Sequence, residues 1–257
     1  MQYRIKNSGI VYLLTVPNGK NLKTGIIIFP GFPNIGNNDE YIKILSSEGY
    51  YILEPKYIGS WESYGKFNLE NCIKTVVKAE NFFRRGHANE CWSNKSIKWS
   101  LNEMIILSSS FGSAVVLSVA HRLKTNKFIC LAPLTNLNKH NKDKNIDEQD
   151  LKQIGVFVKR GFENIYREFD ITDWNSFSDG KSIVNPIKVV HKLENKKILL
   201  LHGKKDNVIN YKRTKEYFNR IKIKNQVVIK FYNKLHHGTE LKKHAKKDVI
   251  DWIRLNT

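Results

Sequence analysis

The run Met104-Ile105-Ile106-Leu107-Ser108-Ser109-Ser110-Phe111-Gly112-Ser113-Ala114-Val115-Val116-Leu117 restricts the fold more than any other stretch of the chain. An apolar segment of strand type ends at Ser108, and an apolar segment of helical type starts at Phe111. Between them, Ser110 has a small residue two positions away on either side, Ser108 and Gly112. This is the pattern of a nucleophile elbow, usually written Gly-x-Ser-x-Gly. A turn this sharp brings the two flanking positions so close that neither can carry a large side chain. It also lifts the central hydroxyl clear of the sheet edge and aims the free N–H groups of the next helix at whatever lies above it. Ser108 stands where the pattern usually has Gly; it is still small, so the turn remains possible.

The rest of the chain supplies the sheet that such a turn needs. Tyr3–Lys6 and Ile10–Val16 read as a hairpin around Asn7-Ser8-Gly9. Gly25–Phe29, Tyr50–Leu53, Lys127–Leu131, Lys197–Leu201 and Gln226–Tyr232 are short apolar runs of the kind buried on both faces of a parallel sheet. Helical patterns at Asn38–Gly49, Asn68–Phe83, Tyr211–Ile221 and the chain end alternate with them, which implies parallel pairing through crossovers. Residues 85–102 are polar and read as an irregular connection. The alternation stops over residues 135–195, where a lysine-rich opening, a helix from Asp147 to Phe169 and the segment Asp173-Trp174-Asn175-Ser176-Phe177 read as an inserted cap. The expected fold is therefore α/β, a mostly parallel sheet flanked by helices. It forms one domain over residues 1–257 with a small helical cap at about 135–195.

With 257 residues and 41% hydrophobic content, the chain can bury a good-sized core. No apolar run approaches a membrane span, and Met1-Gln2-Tyr3-Arg4-Ile5-Lys6 is not a signal region, so export is not expected. Cys72, Cys91 and Cys130 have neither metal-ligand nor disulfide spacing, which favours a reducing cytoplasm and no metal or other cofactor. The net charge of +19 would suit nucleic acid, an anionic surface or an acidic substrate. Lys and Asn are spread along the whole chain, however, and the densest spots, Lys139 to Lys144 and Lys242 to Lys247, are short and interrupted. A diffuse solvated surface without a specific nucleic-acid partner is the expectation.

Three residues with complementary chemistry follow predicted strand ends in the order Ser110, Asp206, His237. In open α/β sheets that edge is where sites form. A serine hydroxyl becomes a nucleophile when a neutral imidazole takes its proton, and a carboxylate holds the imidazole in the right tautomer. Taken singly, Asp206 reads equally as a helix cap, His237 as a loop histidine and Ser110 as a turn residue. Their joint order at strand ends points to a serine-hydrolase triad. Acyl chemistry also needs two N–H donors for the developing oxyanion. Phe111, directly after Ser110, supplies one. Phe32, in the Pro30-Gly31-Phe32 loop after the Gly25–Phe29 strand, supplies the other.

On these motifs the chain resembles the α/β-hydrolases over nearly its full length. Leu201-His202-Gly203-x-x-Asp206 and His237-Gly238 are similar to segments of the dienelactone hydrolases and prolyl oligopeptidase-like peptidases. Tyr57-x-Gly59-Ser60-Trp61-x-Ser63 resembles the Arg-Gly-Ser-Gly loop of the peptidases, but with Ile58 in place of the Arg and Trp61 in place of a Gly. The resemblance implies hydrolysis of a small ester, thioester or short amide through an acyl-enzyme, without metal. It also implies a structural role for His202. In the α/β-hydrolases the base directly precedes a Gly or small residue that leaves the imidazole room to turn. The resemblance therefore implies His237, followed by Gly238, and puts His236, following Leu235, on the loop surface or packed against it. Acyl transfer to an alcohol or thiol uses the same residues, and a non-catalytic binding module is the third alternative; the complete triad argues against the module. Trp61, Phe32, Phe111 and the aromatics of the cap read equally as an acyl pocket and as core.

Overall fold

Runs of branched apolar residues make the strands. The computed structural model describes the whole chain except residues 35–38, 144–145 and 223–225. Ile35, Gly36, the expected helix start at Asn38 and Lys144 of the lysine-rich stretch lie outside the described residues. The strands are β1 (Gln2–Asn7), β2 (Ile10–Thr15), β3 (Thr24–Phe29), β4 (Tyr51–Pro55), β5 (His87–Asn89), β6 (Ser96–Lys98), β7 (Glu103–Ser109), β8 (Lys127–Leu131), β9 (Lys197–Gly203) and β10 (Val227–Tyr232). All but β5 and β6 join one eight-stranded sheet in the order β1-β2-β4-β3-β7-β8-β9-β10. In that sheet β2 pairs antiparallel with both of its neighbours, and the pairs from β4 to β10 are parallel.

Residues alternate across the strands, so each strand feeds two cores. Ile27, Phe29, Ile106, Phe128, Cys130, Ile198 and Leu200 point into one. Ile26, Ile28, Ile105, Leu107, Ile129, Leu131, Leu199 and Leu201 point into the other. The first core is covered by α2 (Leu69–Arg85) and α3 (Phe111–Val119), with Tyr217 of α6 (Tyr211–Arg220) also packed into it. The second is covered by α1 (Asp39–Ser47) and α7 (Thr239–Leu255), through Tyr41, Ile42 and Leu45 of the former and Leu241, Ala245, Val249 and Ile253 of the latter. α2 starts where the side chain of Asn68 accepts the Asn71 N–H at 2.8 Å, and it stops at Gly86 in the left-handed region, φ 77°.

Two expectations change. Residues 85–102 are not irregular: β5 and β6 pair antiparallel, burying Ala88 and Ile97 on one face. Strands of three residues are too short to show a period in sequence. The Glu90 carboxylate closes their turn, accepting from the N–H of Trp92 and Ser93 and from the Ser93 hydroxyl. The hairpin also shields β1, the sheet edge, through an Ile5–Glu90 bridge and the Cys91 N–H to the Arg4 carbonyl.

The second change lies between β8 and β9. The helix expected over Asp147–Phe169 is shorter, α4 (Leu151–Gly161), and the segment Asp173-Trp174-Asn175-Ser176-Phe177 lies in a further helix, α5 (Ile171–Ser178). Asp150 and Asp170 end any longer helix by capping the next, the first accepting from Lys152 N–H and the second from Thr172 and Asp173 N–H. The chain between them is drawn out to pair with the loop after β4. Trp61 N–H donates to Ile165, Arg167 N–H to Gly59 and Phe67 N–H to Arg167, all at 2.8–2.9 Å.

A buried ion pair ties the start of this segment to α6. Glu148 and Arg213 are 2.9 Å apart, with side chains 0% and 1% exposed. Burial alone would raise the Glu148 pKa. The His140 ring, 3.3 Å away, and the hydrogen bonds from the Arg213 guanidinium outweigh it and bring the pKa from 4.5 down to about 2. A carboxylate depressed in the folded state contributes stability that is complete above its unfolded pKa and lost as pH falls through the folded one. Glu148→Gln leaves the buried Arg213 with only the longer contact to the partly exposed Glu216, at 3.5 Å among the described residues, and is expected to cost about 3 kcal/mol at neutral pH. In thermal melts the gap between the variant and the native protein should narrow as pH drops from 4.5 toward 2. A gap independent of pH would refute the assignment.

Candidate active site

β7 ends and α3 begins around Ser110, which has φ 50° and ψ −121°. A non-glycine residue there is strained by about 1–3 kcal/mol and persists only where its surroundings fix it. They do so here. The Ser110 N–H donates to the Leu131 carbonyl at 2.9 Å, and the Ser110 carbonyl accepts from Ser113 and Ala114 N–H at 3.1 and 3.2 Å. Gly112 is demanded by contact: a Cβ there would sit 2.3 Å from the Pro30 carbonyl oxygen and 2.5 Å from that of Phe29. At the other small position Ser108 is 1% exposed, and its hydroxyl is absorbed by bonds to the Ile129 carbonyl at 3.3 Å and with the Ser113 hydroxyl at 3.0 Å. This is how a serine fits where the pattern has glycine.

β9 carries the acid. Asp206 is 3% exposed, and its Oδ1 accepts the Val208 and Ile209 N–H at 2.9 and 2.8 Å. Oδ2 is 2.6 Å from His237 Nδ1 and 3.1 Å from His202 Nε2. Burial by itself would raise the Asp206 pKa; hydrogen bonds from His202 and His237 overcome it and hold the carboxyl well below the usual carboxylate range. The loop after β10 brings His237 into place by lying directly on Gly203, where a Cβ would be 2.2 Å from the Leu235 carbonyl oxygen. Lys205 N–H donates to that same oxygen at 3.1 Å. His237 Nε2 is then 3.2 Å from Ser110 Oγ. His236 is exposed, its N–H bonded to Glu240 Oε2 at 3.1 Å, and it takes no part in this chain of contacts.

The three residues picked from the sequence thus meet, Ser110 to His237 to Asp206, beside a cavity of about 200 Å³. Gly31, Phe32, Ala132, Gly238 and Lys242 are among its walls. Burial pushes the Lys242 ammonium below its ordinary pKa. Phe32 lies next to Gly31, whose Cβ position is 3.1 Å from Ser110 Cβ, so this loop runs against the hydroxyl residue. Phe111 is the first residue of α3, where an N–H has no acceptor within the helix. The Phe32 ring anchors the loop: its centroid is 4.6 Å from Trp174, 4.7 Å from Tyr166, 5.2 Å from Phe67 and 5.4 Å from Phe111. Phe111 is 3% and Trp174 2% exposed, so these two rings are core, whereas Phe32 is half-buried and lines the cavity. A larger cleft of about 1100 Å³ lies between α2 and the segment around α5, with Lys78, His121 and Asp173 in its walls and none of the three meeting residues. His202 is the partner of Asp206 that residue types alone did not assign to the site. Its spacing, four residues before the acid at a strand end, was the available signal.

No family model matches the chain, and no curated protein matches it in sequence. Its structure is similar to that of an α/β hydrolase enzyme from a sediment metagenome of the Mar Chica lagoon, Morocco, with 15% identity, 99% of both chains covered and a TM-score of 0.65. It is also similar to the monoacylglycerol lipase of Paleococcus ferrophilus, at 12% identity, 95% of this chain, 98% of that one and 0.65. The mouse α/β hydrolase domain-containing protein 10 is 16% identical over 100% of both chains, again at 0.65. The fold is the α/β-hydrolase fold.

Gly112→Ala is expected to lower stability by about 2 kcal/mol or more, because the contact it creates is with backbone that cannot rotate away. Thermal melts beside those of Ser108→Ala, expected within about 1 kcal/mol of native, provide the check. Equal melting points for the two variants would show that the close approach at Gly112 is not a constraint.

Proposed function

We propose that the protein is a serine hydrolase that cleaves small esters, thioesters or short amides through an acyl-enzyme. One observation carries the reading: the unbroken contact chain from Ser110 Oγ to His237 Nε2, at 3.2 Å, and from His237 Nδ1 to Asp206 Oδ2, at 2.6 Å. The hydrolases, esterases and lipase among its structural neighbours support it at the level of fold.

In the reaction Ser110 Oγ bonds to the substrate carbonyl carbon while His237 Nε2 takes the hydroxyl proton. The carbonyl π pair moves onto oxygen, and the Phe32 and Phe111 N–H groups hold that oxyanion. Collapse expels the alcohol, thiol or amine, which leaves with the proton from His237. Water then repeats the sequence, His237 taking its proton as the new bond forms, and returns Ser110 and a free acid. Asp206 stays ionised throughout and stabilises the imidazolium, which its depressed pKa favours. A cavity of about 200 Å³ favours short acyl groups, since sites for larger ligands span about 300–1,000 Å³.

Cys72, Cys91 and Cys130 are all free thiols, which supports the cytoplasm as the place of action. Among the described residues no helix is long and apolar enough to cross a membrane. The charge of +19 is read as a diffuse surface without a specific nucleic-acid partner.

A fluorophosphonate probe is expected to modify Ser110 alone; peptide mapping of an adduct to Ser108, Ser109 or Ser113 would refute the register. His237→Ala should abolish acylation and turnover of an active short-chain ester while still melting cooperatively above the assay temperature. His236→Ala should keep kcat/KM within about tenfold, about 1.4 kcal/mol in the transition state. If both histidine variants remain active, the triad is wrong. Product analysis in the presence of added alcohol or thiol separates hydrolysis from acyl transfer.

A further inference from the structure

His202 sits four residues before Asp206 at the end of β9, fully enclosed at 0% exposure. Its Nε2 faces two oxygens, Asp206 Oδ2 at 3.1 Å and the Ile209 carbonyl at 2.8 Å. A carboxylate and a carbonyl can only accept, so Nε2 must carry the hydrogen. Nδ1 is then bare, and it accepts from the hydroxyl of Thr214 on α6 at 2.7 Å. The tautomer follows from its neighbours. Oδ1 of Asp206 takes two backbone N–H groups. Oδ2 takes two imidazole N–H groups, those of His202 and His237.

We propose that His202 is a positioning residue of this site, acting through Asp206. By sharing Oδ2 with His237 it fixes the carboxylate's orientation and limits how strongly that oxygen draws on the His237 proton. The inference rests on the Ser110–His237–Asp206 reading. The titratable groups acting on Asp206 are these two histidines. Lys204 and Lys205 of its own loop are exposed. Glu148 and Arg213, on the packed neighbouring elements, form a pair with each other and touch this loop at Asn210, whose N–H donates to Glu148 at 3.2 Å and whose carbonyl accepts the Arg213 N–H at 2.9 Å. Without the His202 N–H, Oδ2 keeps a single side-chain donor and becomes a stronger acceptor. The imidazolium form of His237 is then favoured, and His237 stays protonated to higher pH.

The test compares His202→Leu, which removes donor and acceptor, with His202→Gln, whose amide can supply both. Two readouts are followed across pH: kcat/KM on an active short-chain ester, and the His237 ring titration by NMR, which needs no turnover. For His202→Leu the acid limb of kcat/KM and the His237 midpoint are expected to move up by about half a pH unit or more, with kcat down about tenfold, a typical order for second contacts to a reacting group. His202→Gln should recover most of each. A loss of kcat with the acid limb and the midpoint both unmoved would overturn the inference and leave His202 a packing residue. If the leucine variant melts below the assay temperature, His202→Phe, which keeps a planar ring and removes both ring nitrogens, is read instead, and an unmoved midpoint there counts against the inference equally. In the native protein, imidazole ¹⁵N spectra should show His202 as the Nε2–H form; the Nδ1–H form would refute the argument at its base. Full activity in Ser110→Ala would refute the hydrolase reading separately, with the His237 midpoint still reporting on His202.

Discussion

The contact on which the rest of the site depends is between the first turn of α3 and the end of β3. Gly112 lies so close to the carbonyls of Phe29 and Pro30 that a methyl group cannot be inserted. That approach has two results. It forces the chain through Ser110 in a conformation few residues adopt, which lifts the hydroxyl above the sheet. It also brings the loop after β3 against Ser110, so that the N–H groups proposed to hold an oxyanion belong to two segments packed on each other. The strain is sustained by backbone hydrogen bonds to a neighbouring strand and within α3, a preorganisation that has to exist before any substrate arrives.

A second layer holds that loop from above. The rings of Phe32, Phe67, Phe111, Tyr166, Phe169 and Trp174 form one tilted and stacked cluster, with residues from the β3 loop, the β4 loop, α3 and the segment before β9. Leu69 N–H donates to Asp173 at 2.7 Å, so α2 and α5 are joined at its margin. Burial raises the Asp173 pKa against that bond. Large rigid rings lose little entropy when ordered and make many contacts each. The same phenylalanine can therefore present its backbone to the cavity and fix the segment above it through its ring.

The acid side is built differently, from charge and hydrogen bonds rather than rings. Asp206 is enclosed and accepts four N–H groups, so its ionised form is favoured despite the cost of burial. Just beyond it, Glu148 reaches both Arg213 and the Asn210 N–H, so the segment before α4 is fastened to the loop that carries the acid. In a low-dielectric surrounding, leaving any one of these groups unpaired costs far more than making the pair gains. Such a network therefore specifies a single arrangement.

Much of this was legible in the residues. The order of strands and helices, the small-x-Ser-x-Gly turn and the trio Ser110, Asp206 and His237 followed from local rules: side-chain period, helix caps and the small residues a sharp turn requires. The choice between His236 and His237 came instead from the resemblance, in which a glycine follows the base, and His237 is the one that lies beside Ser110. What the sequence could not decide rests on contacts between distant segments. The pairing of β5 with β6 and the break between α4 and α5 depend on partners elsewhere, the edge of β1 and the loop after β4. The acceptance of Ser108 depends on hydroxyl partners from β8 and α3. The bond from His202 to Asp206 depends on Thr214 and Ile209 closing around one imidazole. The spacing of a motif states which side chains are near each other along the chain. Only the packed structure states which buried polar atoms must share a proton.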